Sequence, residues 1–155
     1  MKNITDKHGS IGIAGEFFVA AELTRKGYVA SLTGKNTKAI DILVSNKDGS
    51  KSVAIQVKTS DSKKFDRWVM TESVEKVFSD NLWYVFVNMR ENDMPDYYIV
   101  PSTYVAKKVR DDYLEWLHTP GKNGHIRRET TMRTFTFAND NEREYYKNKW
   151  ELLGL

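Results

Sequence analysis

The stretch that decides the fold covers residues 39–60 and reads AIDILVSNKDGSKSVAIQVKTS. Two apolar, β-branched runs flank a polar Asp-Gly turn, which is typical of a β-hairpin. Asp41 lies in the first run, and Gln56 and Lys58 lie in the second. Because side chains alternate along a strand, Gln56 and Lys58 are expected on the same face. Polar groups in an otherwise buried pattern are costly, so these positions are candidates for a functional site.

Length and composition narrow the class of protein. The chain has 155 residues, of which 40% are hydrophobic and 29% are charged, and this balance predicts a globular domain with its own core. It has no cysteine, which excludes disulfides and thiolate metal sites. No apolar run reaches the length of a membrane span, so we expect no membrane association and a cytoplasmic location. The formal charge of +3 permits a nucleic-acid partner without indicating one.

The first helix is predicted over residues 10–26, with Ser10 as its cap and Gly27 as its end. Its apolar stripe consists of Ile13, Phe17, Ala20, Ala21 and Leu23. Glu16 lies between these positions in angle, so its carboxylate borders the buried face. A glutamate here can pair with a surface lysine, but the polar residues of the hairpin favour a place in the same site.

The rest of the chain alternates between strands and helices. Residues 82–89 (LWYVFVNM) are apolar almost throughout, which predicts a strand buried on both faces. Further strands are predicted at 28–32, 68–70, 97–100 and 133–137, and helices at 73–78, 101–117 and from Asn139 to the C-terminus. The order predicts a mixed α/β sheet flanked by helices.

Aromatic residues are assigned mainly to the core. Val105, Val109, Tyr113 and Trp116 form the inner stripe of the helix at 101–117. Tyr146, Trp150 and Leu153 are expected on one face of the last helix, which a capping box of Asn139 and Glu142 begins. All four tryptophans (Trp68, Trp83, Trp116 and Trp150) are assigned to the core, and Trp68, next to Arg67 in a polar stretch, has stacking on a base as an alternative.

Three segments together resemble the PD-(D/E)-x-K nuclease superfamily, which has the restriction-endonuclease-like fold. They are Gly15-Glu16, IDILV at 40–44 and IQVKTS at 55–60, and the general likeness is to the Holliday-junction-resolvase-like and restriction-associated branches. The resemblance implies one nuclease-like domain over 1–155, with an αβββαβ core at about 10–100 and an extension at about 101–155. The sequence departs from the motif at Ile40, where the family often has proline, and at Gln56, where it has an acid.

The resemblance also implies a catalytic site of Glu16, Asp41, Gln56 and Lys58. Asp41, Glu16, the side-chain carbonyl of Gln56 and the backbone carbonyl of Val57 would hold Mg²⁺ or Mn²⁺. Lys58 would orient the attacking water or stabilise charge in the transition state. Gln56 offers an oxygen without a charge, so Glu16 would supply the second negative charge.

DNA is the expected partner. Phosphate contacts are assigned to side chains in or near the loops that adjoin the two site strands: Lys35, Lys38, Ser60, Lys63 and Arg67. The basic stretch 122–133 is a second candidate surface. The predicted function is a metal-dependent DNA endonuclease in repair, recombination or defence, acting as a homodimer because a duplex has two strands to cut. A non-catalytic DNA-binding or assembly module on the same fold remains open, as does an interaction domain, for which no motif is present.

Overall fold

The computed structural model describes residues 4–34, 39–90 and 93–155, with side chains from residue 9 onward. Within these residues a five-stranded sheet has the order β1-β2-β3-β5-β6, and β4 and β7 form a second, two-stranded sheet. The strands are β1 (Val29–Leu32), β2 (Ile42–Ser45), β3 (Ser52–Ser60), β4 (Arg67–Thr71), β5 (Leu82–Asn88), β6 (Asp96–Pro101) and β7 (Met132–Thr136). The helices are α1 (Ile4–Arg25), α2 (Ser102–His118) and α3 (Asp140–Tyr146), with short 3-10 turns at Glu72–Glu75, Lys122–Gly124 and Trp150–Leu153.

The predicted hairpin and the mixed α/β class are confirmed. β2 and β3 are antiparallel, and the Asn46 N–H donates to the Lys51 carbonyl across the turn at 3.1 Å. Gly49 adopts φ 71° there, a conformation that costs glycine little. β5 then runs parallel to β3 and antiparallel to β6. The helices flank this mixed sheet, as expected for a restriction-endonuclease-like architecture.

α1 buries a different stripe from the predicted one. Val19 and Leu23 are fully buried against β3, whereas Ile13 and Phe17 are 44% and 59% exposed. The buried stripe is Gly15, Val19 and Leu23, spaced four residues apart. The prediction is thus right for Leu23 and for Ala20, which packs against the core, and wrong for Ile13 and Phe17. Gly15 has no side chain, so an apolar pattern drawn through larger residues does not include it.

The ends of α1 agree only in part with the prediction. The helix begins at Ile4, so Ser10 lies inside it and does not cap it. At its other end Gly27 adopts φ 92°, as predicted for a left-handed terminus. The Tyr28 N–H then donates to the Leu23 carbonyl at 3.1 Å, which satisfies a carbonyl that the helix leaves without a partner.

The opposite face of the main sheet is covered by α2 and by the β4–β7 sheet. Trp68 of β4 is 1% exposed, and its Nε1 donates to the Val87 carbonyl at 2.9 Å. Its ring lies 4.9 Å from that of Phe86, which stacks on Phe135 at 4.3 Å. The assignment of Trp68 to the core is therefore confirmed, and the alternative of stacking on a base is wrong, because alternation along β4 turns this side chain into the core.

α2 buries only the first half of its predicted stripe. Val105 and Val109 are fully enclosed, but Trp116 is 40% exposed and Tyr113 is half-buried. The helix extends past the main sheet, and its last turns lie beside β7 instead. No helix among the described residues is both long and apolar enough to cross a membrane.

The C-terminal region forms two short helical pieces where one was predicted. Asn139 caps α3, since its side chain accepts a hydrogen bond from the Glu142 N–H at 2.9 Å. α3 ends at Tyr146, and Trp150–Leu153 forms a separate 3-10 turn. Asn148 adopts φ 56° between them, and a left-handed residue cannot continue a right-handed helix.

Candidate active site

Asp41 lies directly before β2, where the hairpin ladder ends. The last paired residues are Ile42 and Ile55, and the Asp41 N–H donates to the Ile55 carbonyl at 2.8 Å. Oδ2 of Asp41 accepts a hydrogen bond from the Val57 N–H at 2.7 Å. β3 continues beyond this point without β2 as its neighbour. The carboxylate thus satisfies a backbone donor that the ladder leaves open, and this contact fixes its orientation.

Val57, Gln56 and Lys58 follow the alternation expected of a strand. The N–H and C=O of one strand residue point to the same side, so the Val57 carbonyl faces the side of β3 on which Asp41 lies. Gln56 and Lys58 lie beside Tyr84 and Phe86 of β5 and are half-buried. Neither side chain has a hydrogen bond or an ion pair with any described residue. Both therefore keep their polar groups available to a ligand.

Glu16 approaches the site from the face that α1 covers. The preceding Gly15 packs so tightly on Thr59 that a Cβ atom would lie 1.9 Å from the Thr59 Oγ1, which sets α1 against the end of β3. Burial raises the pKa of Glu16, and the negative charge of Asp41 raises it further. The two carboxylates are therefore close enough to repel each other. Glu16 and Lys58, by contrast, start from opposite faces of the sheet, since α1 packs on the face of Ile55 and Val57. They do not share the single face that the sequence analysis favoured, so one site could contain both only at the end of β3, beside Asp41.

Tyr84 is a residue of this site that the sequence interpretation missed. It lies beside Gln56 in the parallel register of β3 and β5, and it is 2% exposed with its ring stacked on Phe86. Burial raises the pKa of Tyr84 to about 12, with a further contribution from the charge of Asp41. The hydroxyl is thus protonated at neutral pH and forms no hydrogen bond with a described residue. Its proximity to Asp41 follows from strand register, which the sequence does not specify.

The oxygen atoms of Asp41, Glu16, Gln56 and Val57 are of the kind that bind a divalent cation, although together they carry little negative charge for such a site. Asp41 has one carboxylate oxygen outside its bond to Val57, and neither Asp41 nor Glu16 forms an ion pair with a described residue. The Gln56 side chain and the Val57 carbonyl add neutral oxygens, which Mg²⁺ and Mn²⁺ accept alongside carboxylates. Among the described side chains no group of three or more His, Asp or Glu is placed to hold a metal. Two carboxylates are the most that the described residues offer here.

The five predicted phosphate contacts have different outcomes. Lys35 and Lys38 lie outside the described residues. Ser60 ends β3, and Lys63 is exposed in the loop that follows. Arg67 is exposed on β4, where its guanidinium lies 3.4 Å from the hydroxyl of a threonine in β7. Arg67 thus belongs to the two-stranded sheet and not to the loop assigned to it.

A basic groove of about 470 Å³ lies beyond the end of β3. Its charged lining consists of Lys63, Lys64, Asp66, Arg90, Asp140 and Arg143. Asp66 is held inside by Asn88, which is fully buried, and both arginines lie within salt-bridge distance of Asp66. Arg90 and Arg143 are far apart in sequence, so no local sequence motif predicts that they line the same groove.

The sequence matches no protein-family model and no curated protein. Among solved structures, the chain is similar to the bacterial homing endonuclease I-Ssp6803I, with a TM-score of 0.50 and 14% sequence identity. The match covers 92% of this chain and 88% of that one, so it includes the region predicted as an extension. At this identity the likeness concerns the fold: the chain shares, over most of its length, the fold of a homing endonuclease.

Proposed function

We propose that this protein is a metal-dependent DNA endonuclease whose active site contains Asp41, Glu16, Gln56 and Lys58. The observation that carries the proposal is the Asp41 carboxylate, which the Val57 N–H fixes at 2.7 Å beside Glu16, whose pKa is raised by burial and further by the charge of Asp41. Like charges brought together without a neutralising partner destabilise a fold, and perturbed carboxylates of this kind cluster at functional sites. The fold shared with a homing endonuclease supports nucleic acid as the substrate class.

The four candidate residues and Val57 would have two roles, binding the metal ion and contacting the scissile phosphate. Asp41 and Glu16 would provide the charged ligands of Mg²⁺ or Mn²⁺, and Gln56 and Val57 would provide carbonyl oxygens. When bound, the cation supplies positive charge at the scissile phosphate and makes a water molecule more acidic. Lys58 has no counter-ion among the described residues, so its ammonium can contact a phosphate oxygen and stabilise the charge that develops there.

The basic groove extends this site toward the DNA backbone. Lys63, Lys64, Arg90 and Arg143 line it, and such side chains contact phosphates without regard to base sequence. Binding through them should weaken steeply with salt, because each neutralised phosphate releases counter-ions. A two-fold homodimer would present one such site to each strand of a duplex, and we include this assembly, and a role in repair, recombination or defence, in the proposal.

A non-catalytic DNA-binding module is the alternative, and one observation favours it. The described residues offer at most two carboxylates to a metal, and Gln56 stands where the resembling family has an acid. A domain that had lost its metal would keep the basic groove and bind DNA in EDTA as well as in Mg²⁺. Cleavage separates the two functions directly.

The test uses linear, supercoiled and branched DNA with Mg²⁺, with Mn²⁺ and with EDTA. We expect wild-type protein to cut at least one of these DNAs when Mg²⁺ or Mn²⁺ is present and none in EDTA. Asp41→Ala and Lys58→Ala should cut none under any of these conditions. Lys47→Ala, which removes an exposed lysine in the turn of the same hairpin, is the matched control and should cut like wild type. Cleavage that persists in Asp41→Ala would overturn the proposed site, and DNA binding without cleavage would favour the alternative.

A further inference from the structure

A second cavity, of about 270 Å³, lies between the end of α2 and the β4–β7 sheet. None of the four candidate catalytic residues lines it. Its lining combines aromatic and apolar walls with a few polar groups, and the members that matter here are Arg67, Asp112, Tyr113, Trp116, Met132 and Thr134. Its volume suits one planar group of roughly the size of a nucleobase.

The aromatic wall is partly open to solvent. The rings of Trp116 and Tyr113 are stacked, with their centroids 5.8 Å apart and their planes at 25°, and Trp116 is 40% exposed. Trp68 and Trp150 are buried, and Trp83 is half-buried. An exposed, oriented aromatic pair of this kind is a surface on which a planar ring stacks well.

The rim of the cavity is basic. Residues 119–134 contain four Lys or Arg against a single Glu. The guanidinium of Arg127 lies 4.9 Å from the centroid of the Trp116 ring, and its Nη1 donates to the Trp116 carbonyl at 2.8 Å. The guanidinium of Arg133 already has partners within the protein, since it lies over the Tyr113 ring and pairs with Glu75. Arg67, which lines the cavity, and Arg128, in the loop that leads to β7, are exposed, so both guanidinium groups are accessible to an anionic partner.

The polar groups of the lining complete the chemistry. One oxygen of Asp112 pairs with Lys108 at 2.9 Å, and its other oxygen has no hydrogen bond to a described residue. The Thr134 hydroxyl offers a second acceptor or donor. These features together suit a ligand with a planar ring, polar ring edges and an anionic backbone, which is the chemistry of a nucleotide. Proteins recognise unstacked bases by stacking on their rings and by hydrogen bonds to their edges.

We propose that this cavity binds a nucleobase from an unpaired stretch of nucleic acid, stacked against the side of Trp116 that lines the cavity, with the neighbouring phosphates along Arg67 and Arg128. Bases inside a duplex are stacked on each other, so the cavity selects single strands or extruded bases. The inference rests on the proposed function only in taking nucleic acid as the partner. Binding here needs neither metal nor the candidate catalytic residues.

Intrinsic fluorescence gives the test, because Trp116 is the most exposed tryptophan of the described chain. A single-stranded oligonucleotide and an abasic oligonucleotide of equal length and charge are titrated into the protein in EDTA. We expect the unmodified strand to quench the fluorescence and to bind roughly 5- to 150-fold more tightly than the abasic strand. Trp116→Leu should remove the preference for bases, and Trp116→Phe should retain much of it. Leu114→Ala, at an exposed apolar position of the same helix, is the matched control.

Three results would overturn the inference. They are equal binding of the two strands by wild type, an undiminished preference in a folded Trp116→Leu, and quenching of Trp116 by polyglutamate as strong as by the oligonucleotide. Asp41→Ala should retain the preference. A preference for bases in a wild type that never cuts DNA leaves this inference standing while the endonuclease proposal falls, and cutting without the preference does the reverse.

Discussion

Substitution of Gly15 by alanine should push α1 away from the sheet and displace Glu16. The added Cβ would lie 1.9 Å from the Thr59 Oγ1, which is about 1.5 Å short of an ordinary contact. Overpacking of this kind costs roughly 1–3 kcal/mol, offset by the roughly 1 kcal/mol that alanine gains over glycine in a helix. We therefore expect Gly15→Ala to lose up to about 2 kcal/mol of unfolding free energy, measured by urea denaturation.

A second substitution should repair the first. Thr59→Ala removes the Oγ1 and Cγ2 atoms, so that only the Cβ at 3.0 Å remains close. It also removes a buried hydroxyl without a hydrogen-bond partner, so by itself it should change stability little. In the double variant Gly15→Ala should cost nothing, which gives a coupling energy equal to its cost in wild type, up to about 2 kcal/mol. If metal-dependent cleavage is found, Gly15→Ala should slow it up to about 100-fold and the double variant should recover it.

Gly12 provides the matched control in the same helix. A Cβ at Gly12 meets nothing within 4 Å, so Gly12→Ala should stabilise the protein by up to about 1 kcal/mol. Equal stability of Gly12→Ala and Gly15→Ala would refute the close approach of α1 to β3. A double variant no more stable than Gly15→Ala would show that Thr59 is not the obstructing residue.

Three further predictions concern single side chains. Glu16→Gln should stabilise the metal-free protein by roughly 0.5 kcal/mol at pH 7, because the pKa of Glu16 is raised; urea denaturation should find the gain fading as the pH falls toward 4.5. Burial raises the pKa of Asp96, but hydrogen bonds from Arg90 and Lys147 outweigh it and leave that pKa lowered. Asp96→Asn should thus lose about 1–3 kcal/mol at pH 7, and the difference should shrink on acidification below pH 3.8; an unchanged difference at pH 3 would contradict this. Tyr84→Phe should leave stability and Mg²⁺ affinity unchanged in denaturation and calorimetry while slowing cleavage about 10-fold.

The hairpin and its polar residues were accessible to sequence reasoning because their signals are local. Alternation along one strand fixes that Gln56 and Lys58 share a face, and the Asp-Gly turn fixes which strands pair. The same pattern places Asp41 inside the first strand, but Asp41 lies directly before β2, where the ladder ends. That these residues are catalytic stays a prediction.

The features that were missed or wrong depend on contacts between distant segments. Tyr84 lies near Asp41 only because β5 pairs with β3 in one particular register. The buried face of α1 depends on Gly15, whose role is the absence of a side chain. Trp116 was assigned to the core, yet it is 40% exposed, because α2 extends past the main sheet. Periodicity within a segment carries no information about such neighbours.

Calorimetric titration of Mg²⁺ and Mn²⁺ tests most directly whether Asp41 and Glu16 form a metal site. We expect wild type to bind a divalent cation, and Asp41→Asn and Glu16→Gln to bind it more weakly. Gln56→Glu should bind it at least as tightly as wild type, because a carboxylate replaces an amide. Lys58→Ala should bind the cation like wild type. A wild type that binds the cation no better than Asp41→Asn would contradict the account.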